Sequence, residues 1–216
     1  MPDTITDFTV IRHGQTAENI LHILQGQSNT QLDELGRKQA ACAAERLKNT
    51  TFDLLICSDL DRTRETAAIL LQKTRVGKII YTPALREWNL GELEGLPVSR
   101  AREMYPTVFS GHETTGSSIR IRNGESRQDL FERITGFLEE TAEKYAGKKI
   151  LLVTHAGPLR SIFRYIGGAA LPHTRFPRVD NVSCTRFQKE GDLWQMICWN
   201  DTSHLAMLDT TDSIAP

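Results

Sequence analysis

The sequence lacks the marks of several protein classes. It holds four cysteines, Cys42, Cys57, Cys184 and Cys198, and none stands in a C-x-x-C pair. That spacing argues against a zinc ribbon and against a thioredoxin-type redox motif. Cys57 and Cys198 lie in apolar, strand-like runs, where a reduced cysteine behaves as a small hydrophobe, and all four are read as structural. No run approaches the ~20 apolar residues that a membrane-spanning helix needs. The first residues carry Asp3 and Asp7 and no apolar centre, unlike a signal peptide. These features together predict a reducing cytoplasm. An excess of charge is also missing. The formal net charge is −1 at pH 7, so no general pull toward nucleic acid or anionic membrane is expected, and anion binding must come from a local site. There is no H-E-x-x-H and no aspartate cluster suited to zinc or magnesium, so no metal or other cofactor is expected. No internal repeat or low-complexity tract is present.

What remains is a chain of 216 residues, long enough for one sizeable core. Short β-branched or apolar runs at Phe8 to Ile11, Asp53 to Ser58, Lys78 to Thr82 and Lys149 to Thr154 read as buried strands. Between them, helical periodicity marks Leu35 to Lys48, a segment reaching Leu70 with Asp59 or Asp61 as its cap, and Ser126 to Tyr145, which opens on a capping box from Ser126 to Asp129. Pro158 suits the first turn of a helix that includes Leu159 to Ile166. Val182 to Gln188 and Leu193 to Asn200, split by Glu190-Gly191-Asp192, read as a hairpin. Alternating strands and helices predict an α/β fold with a mostly parallel sheet. Residues 1–200 are read as one domain and 201–216 as a loose tail. Residues from about 88 to 124 are rich in glycine and proline, with one short helix near Val98 to Tyr105, and read as a lid-like insertion.

In parallel sheets ligands bind beyond the carboxyl ends of the strands. Arg12-His13-Gly14 and Thr154-His155 occupy that position on two different strands, so the two histidines are expected to converge. An unprotonated imidazole at His13 can attack phosphorus, and Gly14 beside it would allow a close approach to the backbone. Phosphoryl transfer spreads negative charge over the equatorial oxygens and needs fixed donors. Arg12, Arg62 and His155 can supply them, the two guanidinium groups in bidentate fashion. The leaving oxygen needs a proton. Glu87 is the candidate acid, its carboxyl desolvated by Leu85, Trp88 and Leu90. It would later act as base toward water. None of these residues is diagnostic alone; their joint placement at strand ends carries the reading.

The segment Ile11-Arg12-His13-Gly14-Gln15-Thr16-Ala17-Glu18-Asn19 resembles the R-H-G-[EQ]-T-x-x-N signature of the histidine phosphatase, or phosphoglycerate mutase-like, superfamily. The resemblance continues through Gln25-Gly26, Leu35 to Ala40, Ser58 to Ala67, Leu85 to Gly95, Gly124 to Ser126 and Val153 to Gly157, and spans roughly residues 7 to 200. It implies a three-layer sandwich with a mostly parallel sheet between helices, and metal-free chemistry. It implies His13 as the phosphorylated nucleophile, with Arg12, Arg62 and His155 around the phosphate and Glu87 as proton donor. It further implies that Thr16, Asn19, Gln25 and Gly26, and the backbone near Ala156 and Gly157, line the phosphate or substrate. Asn29 and Asp33 depart from the residues many relatives carry there and bear on substrate shape.

The expected activity is hydrolysis of a small phosphomonoester with release of inorganic phosphate. A phosphoglycerate mutase is the alternative. It would need extra cations, which the cofactor-dependent mutases supply through a tyrosine soon after the acid, a lysine and an adjacent arginine pair. Here Leu90 and Gly91 follow Trp88 and Asn89, no lysine lies between Lys78 and Lys144, and Arg120 and Arg122 are not adjacent. A non-catalytic phosphate- or partner-binding module is a third reading, opposed by the presence of His13, Arg62, Glu87 and His155. A homodimer through a sheet edge is a further expectation.

Overall fold

The computed structural model describes residues 4–109, 117–168, 177–206 and residue 208. Seven helices and six strands follow one another in the order β1 (Thr6–Arg12), α1 (Ala17–Ile20), α2 (Glu34–Leu47), β2 (Thr51–Ser58), α3 (Asp61–Leu70), β3 (Arg75–Thr82), α4 (Val98–Met104), α5 (Pro106–Phe109), α6 (Arg127–Lys144), β4 (Lys149–Thr154), α7 (Ala156–Ile166), β5 (Cys184–Glu190) and β6 (Leu193–Asp201) among the described residues. The strands form one sheet in the order β3-β2-β4-β1-β5-β6. The pairs β2–β3, β2–β4 and β1–β4 are parallel, and β1–β5 and β5–β6 are antiparallel.

Successive side chains of the central strands point to opposite faces, and each face has its own cluster. Phe8, Val10, Leu54, Ile56, Ile150 and Leu152 pack with Leu130, Ile134 and Leu138 of α6 and Leu159 and Ile162 of α7. Ile11, Leu55, Cys57, Leu151 and Val153 pack with Ala43, Ala44 and Leu47 of α2 and Ala67 and Leu70 of α3. The result is the three-layer arrangement, helices on both sides of a sheet. Strands covered on both faces read as continuous apolar runs, which is why KILLVT and DLLICS stand out in the sequence. Each fully buried Leu, Ile or Phe contributes ~1.5–3 kcal/mol.

Several boundaries differ from expectation. α3 starts at Asp61 with Leu60 as its N-cap and no side-chain cap. Asp59 is not a cap, because its two oxygens take the guanidinium of Arg86 at 2.6 Å each. The capping box at Ser126 and Asp129 is present as expected. Val182 is not a strand residue; it takes a left-handed φ of 57° ahead of β5. The segment after Asp201 is not loose at its start. Ser203–Leu205 form a single 3-10 turn with Leu205 buried, and Arg46 of α2 reaches Asp201 and Ser203. Residues 207 and 209–216 lie outside the described part of the chain.

Residues 88–109 and 117–124 form a small lobe with its own apolar cluster of Leu90, Leu93, Ala101 and Ile121, joined by Trp88 and Phe109. It holds two short helices, α4 and α5, where the sequence suggests one. An isolated β-bridge, Ile23 to Pro97, with hydrogen bonds of Leu24 to Leu96 and Gly95 and of Gln27 and Ser28 to Glu94, ties it to the segment after α1. No described helix is long and apolar enough to cross a membrane.

Candidate active site

The parallel register brings three strand ends together. Arg12 lies opposite Thr154, and Cys57 opposite Val153, so the residues that follow, His13, His155 and Ser58, meet at the centre of the sheet edge. The His13 N–H donates to the Thr154 carbonyl at 2.9 Å, and the two imidazole rings lie 5.2 Å apart, centroid to centroid. Both histidines are buried.

The tautomer of His13 follows from its partner. Nδ1 lies 2.7 Å from the Gly14 carbonyl oxygen. That oxygen can only accept, so Nδ1 carries the proton and Nε2 keeps its lone pair when the ring is neutral. Burial, helped by the nearby Arg62 and Arg12 charges, pushes the His13 imidazole well below its ordinary range and outweighs the Gly14 hydrogen bond. The ring is therefore neutral at pH 7. His155 is lowered in the same way, first by burial and then by Arg62 and His13. Its Nε2 sits 2.8 Å from the Ser58 hydroxyl.

The loop after β1 is held closely. A side chain at Gly14 would strike the backbone of Gly36, so the glycine allows the first turn of α2 to approach; the close neighbour here is the chain itself. The Gly14 N–H donates to Thr66, and the Asn181 amide and the Val182 N–H donate to the His13 carbonyl. Thr16 and Asn19 form a capping box for α1, in which Asn19 Oδ1 accepts from the Thr16 N–H and also from Asn181. This occupies the acceptor end of the Asn19 amide.

Arg62, 1% exposed, donates through Nη2 to the Gly26 carbonyl at 2.7 Å and through Nη1 to the Ser28 carbonyl at 2.8 Å. Gly26 thus holds the arginine, while Gln25 accepts from the Thr30 hydroxyl. Arg12 donates to the Val179 carbonyl at 2.6 Å. Burial lowers both guanidinium groups to about 10, which leaves them charged at neutral pH. Arg12 Nε, Arg62 Nε and His155 Nδ1 are among the buried polar side-chain atoms that have no hydrogen-bond partner among the described residues. Unmet buried polar atoms are costly, and a bound anion relieves that cost for the guanidinium groups.

Glu87 follows the 3-10 turn Pro83–Leu85. Its carboxylate accepts the Gly157 N–H, at 3.0 and 3.2 Å to its two oxygens, and the Trp88 N–H at 2.8 Å. It therefore sits on the N-terminal turn of α7, immediately after His155. A side chain at Gly157 would overlap Glu87 Oε1, so the absence of one admits the carboxylate. The Trp88 ring packs against Phe109, and its Nε1 donates to the Glu125 carbonyl.

The backbone of the Glu87 loop is strapped from several sides. Thr154 donates to the Leu85 carbonyl, and Gln27 to that of Glu87. Arg133 donates to the carbonyls of Ala84, Arg86 and Glu87 while paired with Glu125. Arg133, Ser58, Asn181 and Gln27 were not singled out in the sequence. Ser58 opens one of the motif stretches and Gln27 directly follows another, but Arg133 is one of many charged residues on α6 and carries no signal. Arg120 is exposed and donates to Asp129 and to the Gly124 carbonyl. Arg122 is also exposed. Among the described residues no group of three or more His, Cys, Asp or Glu side chains could hold a metal ion.

Residues 8–202 match the sequence profile of the histidine phosphatase superfamily, branch 1. The chain belongs to that family. It is 33% identical over 204 residues to the metal-independent phosphoserine phosphatase of Arabidopsis thaliana, covering 94% of this chain and 84% of that one. It is 33% identical over 203 residues to phosphoglycerate mutase-like protein 4 of the same plant, covering 92% and 86%. The solved mycobacterial glucosyl-3-phosphoglycerate phosphatase superposes with a TM-score of 0.79 at 28% identity, over 91% of this chain and 99% of that one.

Proposed function

We propose that this chain is a metal-independent phosphatase of small phosphorylated metabolites, working through a phosphohistidine on His13. The observation that carries the reading is the Nδ1–H···O=C bond to Gly14, which leaves a neutral His13 with its lone pair on Nε2. Nε2 attacks phosphorus, and the N–P bond forms as the P–O bond to the leaving group breaks. Arg12, Arg62 and His155 neutralise the equatorial oxygens. Glu87, protonated, gives its proton to the leaving oxygen. Water then attacks phosphorus, its proton passes to the Glu87 carboxylate, and the N–P electron pair returns to Nε2. Inorganic phosphate leaves. Thr16, Asn19 and Gln25, together with the backbone at Gly26, Ala156 and Gly157, complete the walls around phosphate or substrate in this reading.

A mutase shares this chemistry as far as the phosphohistidine. Arg120, one of the two candidate cations, is engaged by Asp129, which gives the mutase reading no support from that residue. The test is rapid quench with a radiolabelled phosphoester. Acid-labile label on the parent protein, absent from His13→Ala, and phosphate released in the presence of EDTA are expected. No label on the parent, or label that passes to an isomeric ester with no phosphate released, would overturn the hydrolase reading.

A further inference from the structure

His13 stands where its own strand has ended, and the two peptide groups that follow its Cα are held from outside. Gly14 lies between them, and a residue without a Cβ leaves both planes free to turn unless each is pinned. The Gly14–Gln15 peptide is pinned by His13 Nδ1 on its carbonyl and by Gln39, which accepts the Gln15 N–H at 3.0 Å. The His13–Gly14 peptide is pinned at its N–H by Thr66, 3.1 Å away. Its carbonyl accepts from Asn181 Nδ2 at 3.0 Å and from the Val182 N–H at 3.3 Å. The Asn181 amide also donates to Asn19 Oδ1, 3.3 Å away, which accepts the Thr16 N–H as well. Both neighbours of the amide are acceptors, so its NH2 end must face them. The bend that aims Asn181 is strained. Val182 is β-branched and 0% exposed, yet its φ is 57°. Such a conformation persists only where the surroundings hold it. Here the Val182 N–H also reaches the Arg12 carbonyl at 3.2 Å, and the Val182 carbonyl accepts from His204 Nε2 at 3.1 Å. Asn200 of β6 accepts the Asp180 N–H and donates to the Asp180 carboxylate, and the Val179 carbonyl holds the Arg12 guanidinium. Residues 179–183 are thus a strap, anchored on β6 and on the turn after it, that grips Arg12 and His13.

We propose that Asn181 is a positioning residue for the nucleophile: by holding the His13 carbonyl it fixes the backbone from which the imidazole hangs, and so the line along which Nε2 meets phosphorus. This rests on the phosphohistidine reading above. The N–H of His13 is fixed by the β4 strand through Thr154, whereas its carbonyl depends on a segment 168 positions away. In-line attack tolerates little error, and a misplacement of about 1 Å costs about 100-fold in rate. Asn181 acts on the attacking group and leaves the Arg62 and His155 side of the phosphate pocket to its own supports, the Gly26 and Ser28 carbonyls and the Ser58 hydroxyl. Attack and phosphate binding are therefore separable at this residue.

The test reads the two separately. Vanadate takes the attacking nitrogen as an extra ligand and so reports its position, whereas inorganic phosphate only fills the pocket. Asn181→Leu keeps the shape of the side chain and removes both donors. Its kcat/KM is expected to fall about 10- to 100-fold, by the same factor for p-nitrophenyl phosphate and for glycerol 2-phosphate, because both esters need the same nitrogen. The inhibition constant of vanadate should rise in parallel, while that of phosphate stays within about threefold of the parent. Asn181→Gln keeps the amide but carries it one methylene further. It should show the same split with a smaller loss, and it serves if the leucine variant does not fold. Parent kinetics in a folded Asn181→Leu or Asn181→Gln protein would overturn the proposal. So would equal weakening of vanadate and phosphate, the mark of general damage to the pocket, or a loss confined to the glycerol ester, which would place the effect at Glu87. Turnover by a parent protein whose His13 takes no label, or no turnover of either ester by the parent, would instead sink the phosphohistidine reading itself.

Discussion

Glu87 and Gly157 illustrate how much one missing side chain can decide. The carboxylate reaches the first turn of α7 because position 157 has no Cβ; an added one would overlap Glu87 Oε1. That oxygen is the far end of a flexible side chain, so it can swing away at little energetic cost. Gly157→Ala is therefore expected to keep its melting temperature within a few degrees of the parent while losing ~100-fold in kcat for alkyl phosphates, the scale of losing a positioned acid. Unchanged kinetics in a folded Gly157→Ala protein would show that the carboxylate is not needed there. At His13 the decisive partner is a backbone carbonyl, which no side-chain substitution elsewhere can replace.

At the scale of elements, the strand ends and the Pro83–Trp88 loop share the work. The strands deliver His13, Ser58 and His155 by register alone. The loop has no such frame and depends on hydrogen bonds to its carbonyls, of which Arg133 makes three. Arg133 touches no residue proposed to meet the phosphate, so it is a positioning residue. Arg133→Met should lower kcat for esters with poor leaving groups by about 10- to 100-fold through a displaced Glu87. It should barely change the inhibition constant of inorganic phosphate, because Arg12, Arg62 and His155 stay in place. p-Nitrophenyl phosphate, which needs little acid help, should suffer less. A uniform loss on all esters with weaker phosphate inhibition would mean general damage to the site.

For the molecule as a whole, the buried histidines set a pH dependence of stability. Burial lowers His13 and His155 well below the ordinary imidazole range, and His204 is lowered too, again first by burial. The unfolded chain takes up protons on these rings as pH falls through about 6.5, while the folded chain does not. More protons on the unfolded state below that pH means that stability falls as pH falls, and is level above about 7.5. For His13 and His155 together the slope approaches about 2.7 kcal/mol per pH unit below the unfolded value. Urea unfolding at pH 7.5 and 5.5 checks this, and His13→Asn/His155→Asn should flatten most of the difference. A parent equally stable at both pH values would mean that the rings are protonated in the folded state.

Much of this was legible in the chain of residues. Apolar runs of strand length and the period of Ser126 to Tyr145 marked the layers, because burial on two faces or on one stripe leaves a pattern in sequence order. R-H-G, the arginine at 62, the glutamate at 87 and the second histidine marked the chemistry proposed for it, the two histidines directly after β1 and β4, Arg62 in the first turn of α3 and Glu87 just past a 3-10 turn. The sequence by itself determined which groups are available and on which elements they ride. Only the tertiary structure decided that Asp59 pairs with Arg86 instead of capping α3, that Gly14 makes room for Gly36 and that Arg133 holds the Glu87 loop. Those contacts join residues about 20 to 50 positions apart, and local periodicity carries no information on them. The distance from His13 to His155 is set by β1–β4 pairing, a long-range hydrogen-bonded register that no local propensity encodes.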